Sequence, residues 1–177
     1  MRAAAKNSFE ESIEIAVPVH TAYNQWTQFK TFPRFMSTVK EVEQLRPNLM
    51  RWVVGAGPVR HEFTVEIVEQ QPDSLVAWRG LDRRAGHRGE VTFRELAPDR
   101  TGVVVRMRFE PHALRGRVLA RAGATPRVVR AELGRFKEFI EGVGQECGAW
   151  RGVIRNGQVQ PLEPEPPRSR VAGWPVG

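Results

Sequence analysis

A chain of 177 residues has room for one domain and a tail, and such a domain buries roughly 70% of its unfolded surface. Its single cysteine excludes an internal disulfide, and no apolar run approaches the ~20 residues of a membrane span. The formal charge of +7 raises the question of nucleic acid, but the arginines are scattered through the whole chain and no zinc-finger or RNA-recognition signature accompanies them, so nucleic-acid binding is set aside.

Residues 1–12 lack the apolar core of a signal peptide, which together with the lone cysteine leads to the expectation of a cytoplasmic protein. Phe9, Glu11, Ile13, Ile15 and Val17 then alternate with polar or small residues, as in a half-buried strand that Pro18 stops. Val19 to Phe29 reads as a helix with Ala22, Trp26 and Phe29 on one side, and Phe32, Pro33, Phe35 and Met36 as a second short helix. Strands are expected at Val39–Leu45 and Leu49–Ala56, separated by a turn at Arg46, Pro47 and Asn48. The next strand carries Val59, His61, Phe63, Val65 and Ile67 on one face, and Pro72 and Asp73 turn it. Leu75–Gly80, His87–Leu96 and Thr101–Phe109 complete the strands.

The last element is the clearest. Thr125 can cap and Pro126 can open a helix whose apolar stripe is Val129, Leu133, Phe136, Ile140, Val143 and Cys147. A run of antiparallel strands followed by one amphipathic helix requires the helix to cross one sheet face. A strongly curved sheet around it leaves a space whose filling is the functional question. Beyond it, prolines at 161, 164, 166, 167 and 175 predict a flexible tail, giving expected units of 8–150 and 151–177.

This order resembles the helix-grip fold of the START-like superfamily, also called SRPBCC, and within it the bacterial polyketide cyclase/dehydrase and coenzyme-Q-binding branch. The residues that carry the resemblance are the opening run Ser12–Trp26, Phe32–Met36, Val76–Arg79, Leu133–Glu141 and Gly148–Gly152. The resemblance implies an α+β domain with a curved antiparallel sheet wrapped around a long C-terminal helix. Two short helices follow its first strand, and an apolar cavity holds a lipid, isoprenoid or polyketide-like ligand. Some members of the superfamily cyclise or dehydrate, and others bind and carry.

On that basis the inward faces predict a lining of Trp52, Val54, Phe63, Val65, Val91, Phe93, Val105, Met107, Phe136 and Ile140, around ~300–1,000 Å³. His61, His87 and Glu11 are the polar residues that share those faces, and are the candidates for acid–base work, His61 foremost because imidazole titrates near neutrality. Each has a plainer alternative as a paired or rim residue. Arg79 reads as a surface ion pair rather than an enolate holder, Tyr23 as structural, and Cys147 as a small buried residue of the helix stripe. The four histidines lie far apart with no metal-binding spacing, and no cofactor motif is present. Arg115, Arg117 and Arg121 form a basic patch before the last helix. It is either a solvated connector or a lid facing an acyl carrier protein or an anionic membrane surface. A binder of a hydrophobic small molecule is the first reading, an aromatase/cyclase-dehydratase the second, and a protein–protein module a distant third.

Overall fold

The alternating strands pair in sequence into one antiparallel sheet. In the computed structural model, which describes residues 8–82, 86–109 and 125–161, the strands are β1 (Ser8–Ile15), β2 (Val39–Arg46), β3 (Leu49–Ala56), β4 (Val59–Gln71), β5 (Leu75–Gly80), β6 (His87–Ala97) and β7 (Arg100–Phe109). Their order is β1-β7-β6-β5-β4-β3-β2, so short hairpins link six consecutive strands and β1 closes against the last of them. The sheet curves but does not close, because β1 and β2 are not paired with each other. Register shifts between β2 and β3, β4 and β5, and β6 and β7 mark bulges, which sharpen local twist and bend.

One bulge changes which side chains face inward. Val65 and Ile67 of β4 are buried, but beyond the shift at Ile67/Glu69 the next buried residue is Gln70. A strict period of two would have sent Gln70 outward. Instead its side-chain amide donates to the hydroxyl of Tyr23 at 3.1 Å.

Helix α1 (Val19–Trp26) is shorter than the expected helix to Phe29. Thr27 caps it by donating its hydroxyl to Asn24 O at 2.6 Å, and a 3-10 turn follows at Phe29–Arg34, with Pro33 inside it. Helix α2 (Pro126–Val143) begins as its sequence dictates: the Thr125 hydroxyl accepts from Val128 N at 3.3 Å and Pro126 occupies the first turn. It stops four residues before the end of the expected stripe. Gly144 adopts φ 76° and its N–H bonds Ile140 O at 2.8 Å, the left-handed termination that glycine permits. Val143 is therefore 54% exposed, and Cys147 is exposed beyond the helix rather than buried on its stripe.

The chain past Val143 is bonded into the domain. Asn24, Gln25 and Thr27 are buried polar residues on or just after α1. Their partners come from the segment that follows α2: Cys147 N donates to Gln25 Oε1 at 3.0 Å, Trp150 N to Thr27 Oγ1 at 3.0 Å, and Arg151 to Asn24 Oδ1 at 2.7 Å. Arg151 also grips Asp73 with two bonds of 2.9 and 2.8 Å and lies 5.7 Å over the Tyr23 ring. Two short strands, β8 (Ile154–Arg155) and β9 (Gln158–Val159), then pair with each other, and Ile154 pairs with Gln70 of β4. Packed structure thus runs ten residues past the expected boundary at 150. Residues 162–177, including Trp174, lie outside the described residues.

The outer sheet face carries cross-strand ion pairs. Arg106 joins Glu10 and Glu90 across three strands, and Arg51 joins Glu43 and Glu62. Exposed pairs of this kind are worth about 0–1 kcal/mol each, so the fold rests on the inner face.

Two outcomes follow. Ile154 is fully buried, so Ile154→Ala should cost about 2–5 kcal/mol, read from the shift of the urea unfolding midpoint, and ending the chain at Trp150 should cost at least as much. A shortened chain as stable as the full one would show that β8 and β9 contribute nothing. Tyr23 is the sole tyrosine, and its burial pushes the phenol from 10.0 up to about 12. The folded state therefore favours the neutral phenol. That stabilisation is complete below pH 10 and is lost as pH rises towards 12, because the unfolded chain releases its proton first. Tyrosinate absorbance should show one step near 12 in folded protein and near 10 in urea.

Candidate functional site

Between the sheet and α2 the inner face is not filled. A cavity of about 290 Å³ lies there, close to the bottom of the range usual for small-molecule sites. Its walls come from β3 to β7, the α1 to β2 corner and the first two turns of α2. Aromatic packing builds the frame. Trp26 meets Phe32, Phe136 and Phe93 edge-on, at centroid distances of 5.1, 5.2 and 6.1 Å. Trp52 meets Phe32 and Phe29 at 5.5 and 6.5 Å. Such edge contacts hold large rings in one orientation and keep α2 away from the middle of the sheet.

Six residues expected in the lining are there: Trp52 and Val54 from β3, Phe63 and Val65 from β4, and Val105 and Met107 from β7. Four are not. Val91 and Phe93 of β6, and Phe136 and Ile140 of α2, are buried in the solid part of the core, where Phe93 also packs on Tyr23 at 5.4 Å. Alternation assigns a residue to a face but not to a depth along it. On these elements the end nearer Tyr23 is filled and the end nearer His87 and Phe109 is hollow.

The polar candidates separate in the same way. His61 lines the cavity, directly across from Val54, and its Nε2 is buried with no hydrogen-bond partner among the described residues. His87 also lines it and is buried, with its ring edge-on to Phe63 at 5.6 Å and tilted against Phe109 at 6.4 Å. Glu11 faces inward on β1 as expected but does not reach the cavity. Arg130 of α2 binds both its oxygens, at 3.0 and 3.3 Å, which fastens β1 to the helix. A carboxylate on an edge strand beside an amphipathic helix meets the helix's basic flank first. Arg79 is an outward ion pair with Glu66 at 3.0 Å, Tyr23 is buried in the structural cluster above, and Cys147 is hydrogen-bonded to Gln25. Arg115, Arg117 and Arg121 lie outside the described residues.

The sequence reading missed Glu132. It is 6% exposed and lines the cavity from α2. One oxygen, Oε1, accepts from Ser37 Oγ at 3.1 Å and from Arg135 at 2.6 Å; the other, Oε2, is buried without a partner among the described residues. Its signal was its position three residues after Val129 and four before Phe136, a charged residue set within the apolar stripe. Trp78 and Met50 were also missed, although they share strand parity with Val76 and with Trp52. Among the described residues no cluster of three or more His, Cys, Asp or Glu is placed to hold a metal ion, and no helix is long and apolar enough to cross a membrane.

Gly89 sets where Trp78 lies. The two are directly paired across β5 and β6, and a methyl group at 89 would fall 2.3 Å from the indole and 2.8 Å from Met107 Sδ. Gly89→Ala should displace Trp78 and lower stability by about 1–3 kcal/mol in urea unfolding, although an alanine elsewhere in a strand gains about 0.5–1 kcal/mol over glycine. It should also shift tryptophan emission. Unchanged stability and emission would mean that Trp78 has a second position at no cost.

The family described as polyketide cyclase / dehydrase and lipid transport matches residues 15–138. An uncharacterized 17.2 kDa protein of Streptomyces lincolnensis, from the melC2-rnhH intergenic region, is 49% identical over 145 residues, covering 82% of this chain and 97% of the relative. Among solved structures, a START superfamily protein from Mycobacterium smegmatis superposes with a TM-score of 0.62 at 18% identity, over 75% of this chain and 99% of that one. The Zhui aromatase/cyclase from Streptomyces sp. R1128 superposes with a TM-score of 0.62 at 16% identity, over 78% and 98%. At those identities the two structures speak for the fold alone. The family match spans well over half of the chain and the relative is near half identical, so this chain belongs to the polyketide cyclase/dehydrase and lipid transport family, on a START-type helix-grip fold.

Proposed function

We propose that the protein binds a hydrophobic small molecule, of lipid, isoprenoid or polyketide-like character, in the cavity between the sheet and α2. One observation carries this reading. Protein interiors are packed with few voids larger than a water molecule, yet here about 290 Å³ stays open inside a wall of aromatic and aliphatic side chains. A cavity of that kind is kept for an occupant whose burial replaces the missing packing, at roughly 25 cal/mol for each Å² of apolar surface removed from water. The cyclase/dehydrase and lipid-transport roles of the family agree with that occupant class.

Native mass spectrometry of the purified protein, followed by titration with apolar fluorophores, tests this reading. Trp26, Trp52 and Trp78 line the cavity, so a ligand should quench tryptophan emission saturably with one site per chain. A protein that carries no ligand mass and shows no saturable quenching with any apolar probe would overturn it.

A second reading, a cyclase or dehydratase, is favoured by His61, whose buried Nε2 at the cavity wall has no partner among the described residues. In that reading His61 takes a proton from a carbon between two ketone groups, that carbon attacks a distant carbonyl whose oxygen takes up a proton, and water then leaves as the attacking carbon loses its second proton and the departing hydroxyl gains one. His87 would be the second proton-handling group. His61→Gln should then reduce turnover of a poly-β-ketone thioester by about 100-fold or more with affinity little changed. For a carrier the same change costs about 1 kcal/mol in affinity, and products with wild-type protein match the spontaneous background. A carrier protein or an anionic membrane surface would be the source of such ligands in either reading, with Arg115, Arg117 and Arg121 as the basic contact. Liposome and carrier-protein binding at low salt, absent in both cases, would remove that partner.

A further inference from the structure

Four side-chain nitrogen or oxygen atoms are buried without a hydrogen-bond partner among the described residues: Trp52 Nε1, His61 Nε2, Glu132 Oε2 and Gln70 Oε1. The first three belong to residues that wall the cavity. Buried polar atoms are normally paired, and leaving one unpaired is destabilising, so three around one apolar space point to hydrogen bonds made by whatever occupies it.

The chemistry of two of them is fixed. An indole N–H can only donate, and the Trp52 ring is held by Phe29 and Phe32, so its N–H cannot turn to solvent without breaking those contacts. The carboxylate of Glu132 can only accept when ionised, and Arg135 and Ser37 both bind Oε1, which holds the charge in place and leaves Oε2 available. Trp52 stands on β3 and Glu132 on α2, so the donor and the acceptor belong to opposite walls. Oε2 is an acceptor with no donor beside it among the described residues, so a ligand carboxylate, also acceptor-only, finds no hydrogen bond there.

We infer that the cavity selects a neutral apolar molecule carrying a hydroxyl or enol and a separate acceptor oxygen. Its O–H donates to Glu132 Oε2, the Trp52 N–H donates to its carbonyl or ether oxygen, and carboxylated lipids such as free fatty acids are discriminated against. The inference rests on the cavity being a ligand site, and it makes Glu132 and Trp52 the specificity-determining residues.

A matched series of probes tests it by isothermal titration calorimetry: naphthalene, β-naphthol, the methyl ether of β-naphthol, and β-naphthoate. Naphthol should bind about tenfold more tightly than its ether, because only naphthol can donate to the carboxylate. The ether should still exceed naphthalene, and naphthoate should be weakest. In Glu132→Gln the amide oxygen takes over the bonds from Arg135 and Ser37 and turns its NH2 to the cavity. The preference for naphthol over the ether should then fall below about twofold while naphthoate binding improves. Trp52→Phe should remove the advantage of the ether over naphthalene. Far-UV circular dichroism and melting curves check that both variants fold, and the wild-type series decides the matter without them. Equal wild-type affinities for naphthol and its ether, or an unchanged preference in folded Glu132→Gln, overturn the inference while naphthalene binding leaves the ligand-cavity reading standing. Failure of all four probes, naphthalene included, overturns both.

Discussion

The indole of Trp26 is the contact on which the architecture depends. It ends α1, and its ring is met edge-on by Phe32 from the 3-10 turn, Phe136 from α2 and Phe93 from β6. Four separate pieces of chain are thereby held at a fixed spacing around one rigid ring. On one side of it the core is solid, with Tyr23, Phe93, Phe136 and Ile140 fully or nearly fully buried. On the other, the same spacing leaves the cavity, and Trp26 is part of its wall. Trp26 thus stands at the boundary between the solid and the hollow parts of the core.

The filled end is secured by polar interactions that look out of place until the segment after α2 is considered. Asn24, Gln25, Thr27 and Gln70 are all buried. Each would be costly alone, and three of them are matched by the segment between α2 and β8, through Cys147, Trp150 and Arg151. Arg151 adds the bidentate grip on Asp73 and the cation over the Tyr23 ring. The segment after the helix therefore belongs to the fold, and it closes the end opposite the cavity.

The open end has the reverse character. Its surface is overwhelmingly apolar, but Trp52 Nε1, His61 Nε2 and Glu132 Oε2 in it have no hydrogen-bond partner among the described residues. A core built only for stability would have placed leucine or phenylalanine at 52, 61 and 132. The Glu11–Arg130 pair, by contrast, has both carboxylate oxygens bonded and ties β1 to α2. An apolar wall with single, separately oriented donors and acceptors is what recognition of a mostly hydrophobic molecule requires, since area supplies affinity and a few polar groups supply selection.

The fold was legible in the sequence because period-two and period-3.6 patterns are local, and each was long enough to identify its element: β4 through Val59 to Ile67, and α2 through Val129 to Ile140. The resemblance carried by Ser12–Trp26 and Leu133–Glu141 supplied the arrangement. Face was legible too, which is why Trp52, Val54, Phe63, Val65, Val105 and Met107 were expected where they lie. Depth was not, because whether an inward residue meets a neighbour or a void depends on how elements distant in sequence are spaced. Val91 and Phe136 packed solidly for that reason. Glu132 carried a local sign, a charge inside an apolar stripe, but its meaning came from Ser37 and Arg135 taking one oxygen and leaving the other. The bulge that turns Gln70 inward and the left-handed Gly144 that exposes Cys147 arise from single backbone departures that leave hydrophobic periodicity unchanged. The sequence, with the resemblance it carries, determined the seven main strands, the existence of α1 and α2 and the helix-grip class. Tertiary packing alone decided where the core is hollow and which polar atoms stand unpaired around the hollow.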